Sequence, residues 1–254
     1  MKLHIYSDLH LETNDSLCRY SNSLRNTANA DILIYAGDTC DGFPNKEYIE
    51  YLKSRFEEYK YVIYIIGNHE YYHEIFNDDF TLRLQNEFNK NVFVISKFTI
   101  INITDTFGIV CGTMWSHIDP KKHLNISRII DDYKCIRIDE KTRFSPNDST
   151  QEYWRFNNEL INTKLPKNFI VVTHHSPSFK SVHKRYENSL INDAFSSNLD
   201  NLILDIKPMI WVHGHHHDSS AYMIGNTRIL CNPYGYYAQN NRFNTKLFID
   251  LENI

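Results

Sequence analysis

Val62-Ile63-Tyr64-Ile65-Ile66-Gly67-Asn68-His69-Glu70 runs five apolar or aromatic residues straight into a glycine and three polar side chains. A continuous apolar run of this length suits a central strand covered on both faces. The same pattern recurs along the chain. Residues 3–7 lead into Asp8-Leu9-His10, and residues 32–36 into Gly37-Asp38-Thr39-Cys40-Asp41. Residues 170–173 end at His174-His175, and residues 209–212 at His213-Gly214-His215-His216-His217. Strand ends in an α/β sheet converge on one rim, so side chains from opposite ends of the chain can meet there.

Further short strands, rich in β-branched or aromatic residues and flanked by turn formers, are expected at 92–96, 99–104, 108–113, 221–224, 228–231 and 246–250. Residues 47–59 carry Tyr48, Leu52, Phe56 and Tyr59 on one helical stripe, and 80–89, 150–163 and 190–204 read similarly. The order opens β-α-β-α-β and then turns to closely spaced strands. That predicts an α/β fold of two mixed β-sheets packed face to face with helices outside. Residues 117–147 are the least regular, of the kind that forms a loop over a site. No repeat, low-complexity segment or linker divides the chain, so 1–254 reads as a single domain.

Hydrophobic content of 42% and charged content of 23% place the 254 residues among soluble globular proteins. A formal net charge of -4 gives no whole-molecule attraction to nucleic acid or an anionic membrane. Cys18, Cys40, Cys111, Cys135 and Cys231 are odd in number and widely spaced, which argues for free thiols in a reducing compartment. Neither a signal-peptide pattern nor a membrane-length apolar run is present, so a cytoplasmic location is expected.

Nitrogen and oxygen ligands without thiolates suit divalent ions such as Mn, Fe or Zn, and there are enough here for two. Two adjacent metals make a site for in-line displacement at phosphorus. Asp8 and His10 are two apart, as are His215 and His217, and strand alternation would point each pair at one metal. Asp38 has the two oxygens needed to bridge two cations, and Gly37 lets the backbone turn it to the rim. Asn68 supplies an oxygen without charge, which preserves positive charge for a phosphate. Alternation admits only one of His174 and His175, and turns His213 and His216 away. Asp41 reads as a partner of a functional residue rather than a ligand.

As an ordered set, Asp-x-His, Gly-Asp-x-x-Asp, Gly-Asn-His-Glu, a strand-end His and Gly-His-x-His resemble the calcineurin-like metallophosphoesterase superfamily, from Asp8 to His217. Ser7-Asp8-Leu9-His10-Leu11-Glu12, His183-Lys184-Arg185-Tyr186 and Cys231-Asn232-Pro233-Tyr234-Gly235-Tyr236 resemble a small single-domain bacterial and phage subgroup. The resemblance implies a four-layer αββα sandwich. It implies that Asp8, His10 and His217 hold one metal, that Asn68, His174 and His215 hold the second, and that Asp38 bridges them. The ions would be drawn from Mn, Fe, Zn, Ni and Co. His69 would contact the phosphate or protonate the leaving oxygen, with Asp41 orienting its ring. Gly42 and Ile66 stand where the family's protein Ser/Thr phosphatases carry arginines, which argues against that activity.

The expected chemistry is direct hydrolysis of a small phosphoester, with a hydroxide bridging the ions attacking phosphorus in line. Arg185, Tyr186, His117 and Tyr236 are the candidate substrate contacts. Aromatic residues among them could stack on a base, which favours nucleotide phosphodiesters. Two other readings compete. A catalytically idle scaffold of the same fold would typically lose His69 or a ligand, and all are present. A nuclease would want a basic groove, which the acidic balance disfavours.

Overall fold

The computed structural model describes residues 1–13, 24–237 and 239–253. Its β-branched runs form two sheets. The first has the order β11-β1-β2-β3-β4, from Lys2–Tyr6 (β1), Ile32–Tyr35 (β2), Tyr61–Ile65 (β3), Val92–Ile95 (β4) and Phe248–Asp250 (β11). The second has the order β5-β6-β7-β8-β10-β9, from Thr99–Asn102 (β5), Phe107–Gly112 (β6), Asn168–Thr173 (β7), Ile210–His213 (β8), Ser220–Ile224 (β9) and Thr227–Cys231 (β10). The inner strands of each sheet run parallel. Only the edge strands β11, β5 and β9 pair antiparallel, which makes both sheets mixed.

Strand alternation divides the apolar residues between two jobs. Leu3, Ile5, Ile32, Ile34, Ile63 and Ile65 of the first sheet meet Ile109, Ile170, Val172, Ile210, Val212 and Leu230 of the second in one buried cluster. On its other face the first sheet presents Tyr6, Leu33, Tyr35, Val62 and Tyr64 to Leu52 and Phe56 of the helix Lys46–Phe56. The outer face of the second sheet presents Val110, Val171, Trp211 and Ile229 to Tyr153, Phe156 and Leu160 of the helix Pro146–Asn162. The result is helix, sheet, sheet, helix, as the sequence led one to expect.

Three stretches depart from expectation. Helix Pro146–Asn162 begins earlier than residue 150, because Ser145 and Asp148 form a capping box and Pro146 opens the first turn. Residues 190–204 do not form one helix; they hold a short turn, Asn192–Ala194, and a helix, Asp200–Ile206. Between these, Ser176 N–H donates to the Phe195 carbonyl (3.1 Å) and Ser197 N–H to the Ser176 carbonyl (3.0 Å), which pulls the chain into a bridge. Residues 117–147 are less irregular than expected, holding Pro120–Lys122, His123–Ile129 and Asp132–Cys135. Cys40, Cys111, Cys135 and Cys231 are unbridged, and Cys18 lies outside the described residues. Among the described residues no helix is long and apolar enough to cross a membrane.

Candidate metal centre

The loops that leave β1, β2, β3, β7 and β8 share one rim, and most of the polar clusters sit on them in left-handed backbone. Asp8 (φ 54°), His10 (φ 43°), Asp38 (φ 58°), His215 (φ 69°) and His217 (φ 47°) all adopt it. Strand alternation therefore does not explain why Asp8 pairs with His10, or His215 with His217: β1 ends at Tyr6 and β8 at His213. Left-handed non-glycine residues are uncommon, with Asp, Asn and His enriched among them. Hydrogen bonds between loops hold these turns. Asp8 N–H donates to the Gly37 carbonyl (2.8 Å), His10 N–H to the Asp38 carbonyl (3.2 Å) and Leu11 N–H to the Thr39 carbonyl (2.8 Å). His215 N–H donates to Asp8 Oδ1 (2.8 Å), and His69 N–H to Asp38 Oδ1 (3.0 Å). The loops are packed so closely that a Cβ on Gly67 would collide with the Asp38 carboxylate. One on Gly37, itself at φ 94°, would come within 2.5 Å of His174 Nδ1.

Three groups of metal-ligating side chains result among the described residues; one, His10, Glu12, Asp41 and His69, surrounds the His69 ring, and the other two share Asp38. In the first of those two, Asp8, His10, Asp38 and His217 offer atoms within 4.8 Å of one another; in the second, Asp38, His174 and His215 do the same. Asn68 Oδ1 joins the second group, 2.9 Å from His174 Nε2. The donor set fits two cations on independent grounds. His10 Nε2 faces His217 Nε2 at 2.9 Å, so the pair must either share one proton or turn two lone pairs on a common centre. Asp38 Oδ2 is buried with no hydrogen-bond partner among the described residues; His174 Nε2 is 3.2 Å away and His10 Nε2 3.8 Å. Burial would discourage charge on Asp38, but His174, His69 and His10 outweigh it and hold the carboxyl well below its ordinary pKa.

Outer contacts fix the rings. His10 Nδ1 lies 3.3 Å from Glu12 Oε1, His174 Nδ1 2.8 Å from the Ala36 carbonyl, and His217 Nδ1 2.8 Å from Gln239 Oε1, so each Nε2 faces inward. Glu70, fully buried, accepts from the backbone N–H groups of Gly67 (2.8 Å), Thr39 (2.7 Å) and Asp38 (3.2 Å). Asp132 accepts from Asn68 Nδ2 (2.7 Å) and Tyr72 Oη (2.8 Å), which turns the amide oxygen of Asn68 toward His174. Sequence reasoning assigns none of Glu12, Glu70, Asp132 and Gln239 a role. Glu12 and Glu70 stand inside the quoted motifs, where their spacing is visible. Asp132, which opens the short helix Asp132–Cys135, and Gln239 arrive from distant parts of the chain with no local signal.

His69 is held from three sides. Its Nδ1 lies 2.6 Å from Asp41 Oδ1, its ring stacks on Tyr72 with centroids 4.2 Å apart, and its Nε2 lies 3.4 Å from Tyr236 Oη. Burial by itself would lower the pKa of this ring. The charges of Asp38 and Asp41 and the Asp41 hydrogen bond outweigh it and raise it to about 10.

A cavity of about 360 Å³ opens beside this cluster and is lined by Asn68, His69, His215, His217, Tyr186 and Tyr236, among others. Two other candidate contacts lie elsewhere. Arg185 Nη2 donates to Asp218 Oδ2 at 2.6 Å, with its guanidinium over the Tyr186 ring. His117 is exposed and packs edge-on to Trp154 at 5.6 Å, outside the cavity, because Ile118 N–H donates to Thr150 Oγ1 (3.1 Å) and draws this segment against helix Pro146–Asn162. His175 is buried between Trp115 (5.0 Å) and His215 (4.4 Å). His213 bonds Ser181 (2.8 Å) behind the site, whereas His216, expected to turn away, bonds Ser196 (2.7 Å) and lines the cavity.

The sequence matches that of the uncharacterized protein L509 of Acanthamoeba polyphaga mimivirus at 30% identity, covering 99% of this chain and 97% of that protein. Among solved structures, phosphopantetheinyl hydrolase (PptH) from Mycobacterium tuberculosis superposes with a TM-score of 0.71 at 14% identity, covering 94% of this chain and 90% of that one. TT1561 of Thermus thermophilus superposes with a TM-score of 0.52 at 14% identity, covering 91% and 88%. At such identity these two structures speak to the fold alone. The model of the calcineurin-like phosphoesterase family matches residues 1–219. With that match over a sequence whose polar strand-end loops gather into paired ligand groups, the chain belongs to the calcineurin-like phosphoesterase family.

Proposed function

We propose that this protein is a dinuclear metal-dependent hydrolase of small phosphoesters, with nucleotide-like phosphodiesters as the first class to test. The observation that carries this reading is the pair of ligand groups sharing Asp38, whose buried Oδ2 has no hydrogen-bond partner among the described residues. Asp8, His10 and His217 would hold one divalent ion, Asn68, His174 and His215 the other, and Asp38 both. When bound, such ions supply Lewis acidity at the phosphoryl oxygens and lower the pKa of water. The chain's own residues supply the rest. Asp41 accepts from His69 Nδ1 and so presents Nε2–H to the cavity, where it can protonate a leaving oxygen. Tyr236 Oη and the Tyr72 ring keep that imidazole from rotating away. The unbridged thiols of the described residues support a cytoplasmic setting for this chemistry.

The test uses purified protein incubated with Mn, Fe, Co, Ni or Zn. Two ions per chain and hydrolysis of an aryl phosphodiester are expected. Asp38→Ala should lose both the paired ions and at least about 10³-fold in turnover. Near-normal turnover in that variant would discard the proposal.

A further inference from the structure

Away from the histidines, the cavity beside the metal-type cluster is largely apolar. Ile129, Ile130, Val182, Ile191 and Phe195 line it. Phe195 stacks on His215 with centroids 4.7 Å apart and planes at 24°, so this apolar wall begins at the cluster itself. Ile129 is 56% exposed and Tyr186 47% exposed, which leaves apolar surface open to water beside a polar floor. Histidines apart, the charged side chains lining the cavity among the described residues are Asp131 and Asp132, and Asp132 is engaged by Asn68 and Tyr72. Asp131 is paired with Lys134 Nζ at 2.8 Å, and Arg185, beside Tyr186, is paired with Asp218.

Resting on the phosphoesterase reading, we infer that the substrate is a phosphodiester whose retained arm is neutral and apolar or aromatic. An arm bearing carboxylate or further phosphates would have to shed its water against the isoleucines and Phe195, which offer no hydrogen bond in exchange. An apolar arm would instead cover the isoleucines and Phe195 and leave water itself. Hydrolysis adds water across the P–O bond of the other ester. The leaving alcohol departs with one proton, and a phosphomonoester of the arm remains.

The experiment compares three diesters that share a p-nitrophenol leaving group and differ only in the arm: methyl, naphthylmethyl and carboxymethyl. With the full chain loaded with Mn, kcat/KM for the naphthylmethyl ester should exceed that of the methyl ester by at least about tenfold. The carboxymethyl ester should fall below both. Ile130→Asp and Ile191→Asp should each collapse the naphthylmethyl-to-methyl ratio. Equal rates on all three esters, or a preference for the anionic arm, would overturn the inference while leaving the phosphoesterase reading in place. A ratio unchanged in both folded variants would overturn it as well, and the wild-type comparison decides should neither variant fold. No hydrolysis of any ester by protein that holds its ions would sink the underlying reading.

Discussion

Glu70 is the residue on which the strand-end loops depend most, and it is not a ligand in any of the groups. Its Oε1 accepts from Thr39 N–H (2.7 Å) and Tyr64 Oη (3.1 Å), and its Oε2 from Gly67 N–H (2.8 Å) and Asp38 N–H (3.2 Å). A carboxylate can accept on both sides; an amide cannot. Glu70→Gln keeps the size but turns an NH₂ group toward one pair of donors, leaving buried backbone N–H groups unpaired. The expected loss is about 2 kcal/mol of stability, measured by urea unfolding in the presence of a chelator. The Asp38 turn should loosen with it and bind metal more weakly. Wild-type stability and metal content in this variant would refute the role. At this scale the sequence was readable where chemistry alone identifies a residue: Asp, Asn and His after apolar runs announce ligands. It was silent on Asp132 and Gln239, because a hydrogen bond across the fold leaves no mark on local spacing.

At the scale of elements, the five rim loops are as much a product of glycine as of histidine. Gly67 follows β3 where the Asp38 carboxylate comes so close that any Cβ would displace it. Gly67→Ala should shift Asp38 away from both ligand groups, cost about 1–3 kcal/mol through overpacking, and release at least one of the two ions. Metal analysis after dialysis, together with thermal unfolding, checks this; retention of both ions with unchanged melting would contradict the packing argument. The elements also show why period-2 reasoning reached a sound grouping by an unsound route. Asp8 and His10 lie beyond β1 in left-handed backbone, so it is the turn that brings them together. The helical stripe read over 190–204 failed for a different reason. Ser196 and Ser197 are drawn into a bridge with Ser176, a tertiary contact that overrides helical spacing.

For the whole molecule, stability should depend on pH through histidines the site does not use, and His4 isolates the effect. It sits on β1, fully buried, with Nδ1 2.6 Å from Tyr59 Oη and Nε2 3.1 Å from the Thr245 carbonyl. It thereby ties the first strand to residues beside an outer helix and near the chain's end. Burial lowers its pKa to about 4, against the weaker upward pull of the Thr245 carbonyl. The unfolded chain takes up a proton on this ring near its ordinary value of 6.5. Between those two values the unfolded state binds more protons than the folded one, so stability falls as pH drops from about 6.5 to about 4 and levels off below. At roughly 1.4 kcal/mol per pKa unit, the loss attributable to His4 is at most about 3–4 kcal/mol. His4→Gln removes the titrating group while keeping a polar partner for Tyr59. Unfolding free energies of both proteins, measured with chelator from pH 7 to pH 4, should converge by up to that amount as pH falls. Parallel curves would show that His4 takes up its proton equally well in the folded and unfolded chain.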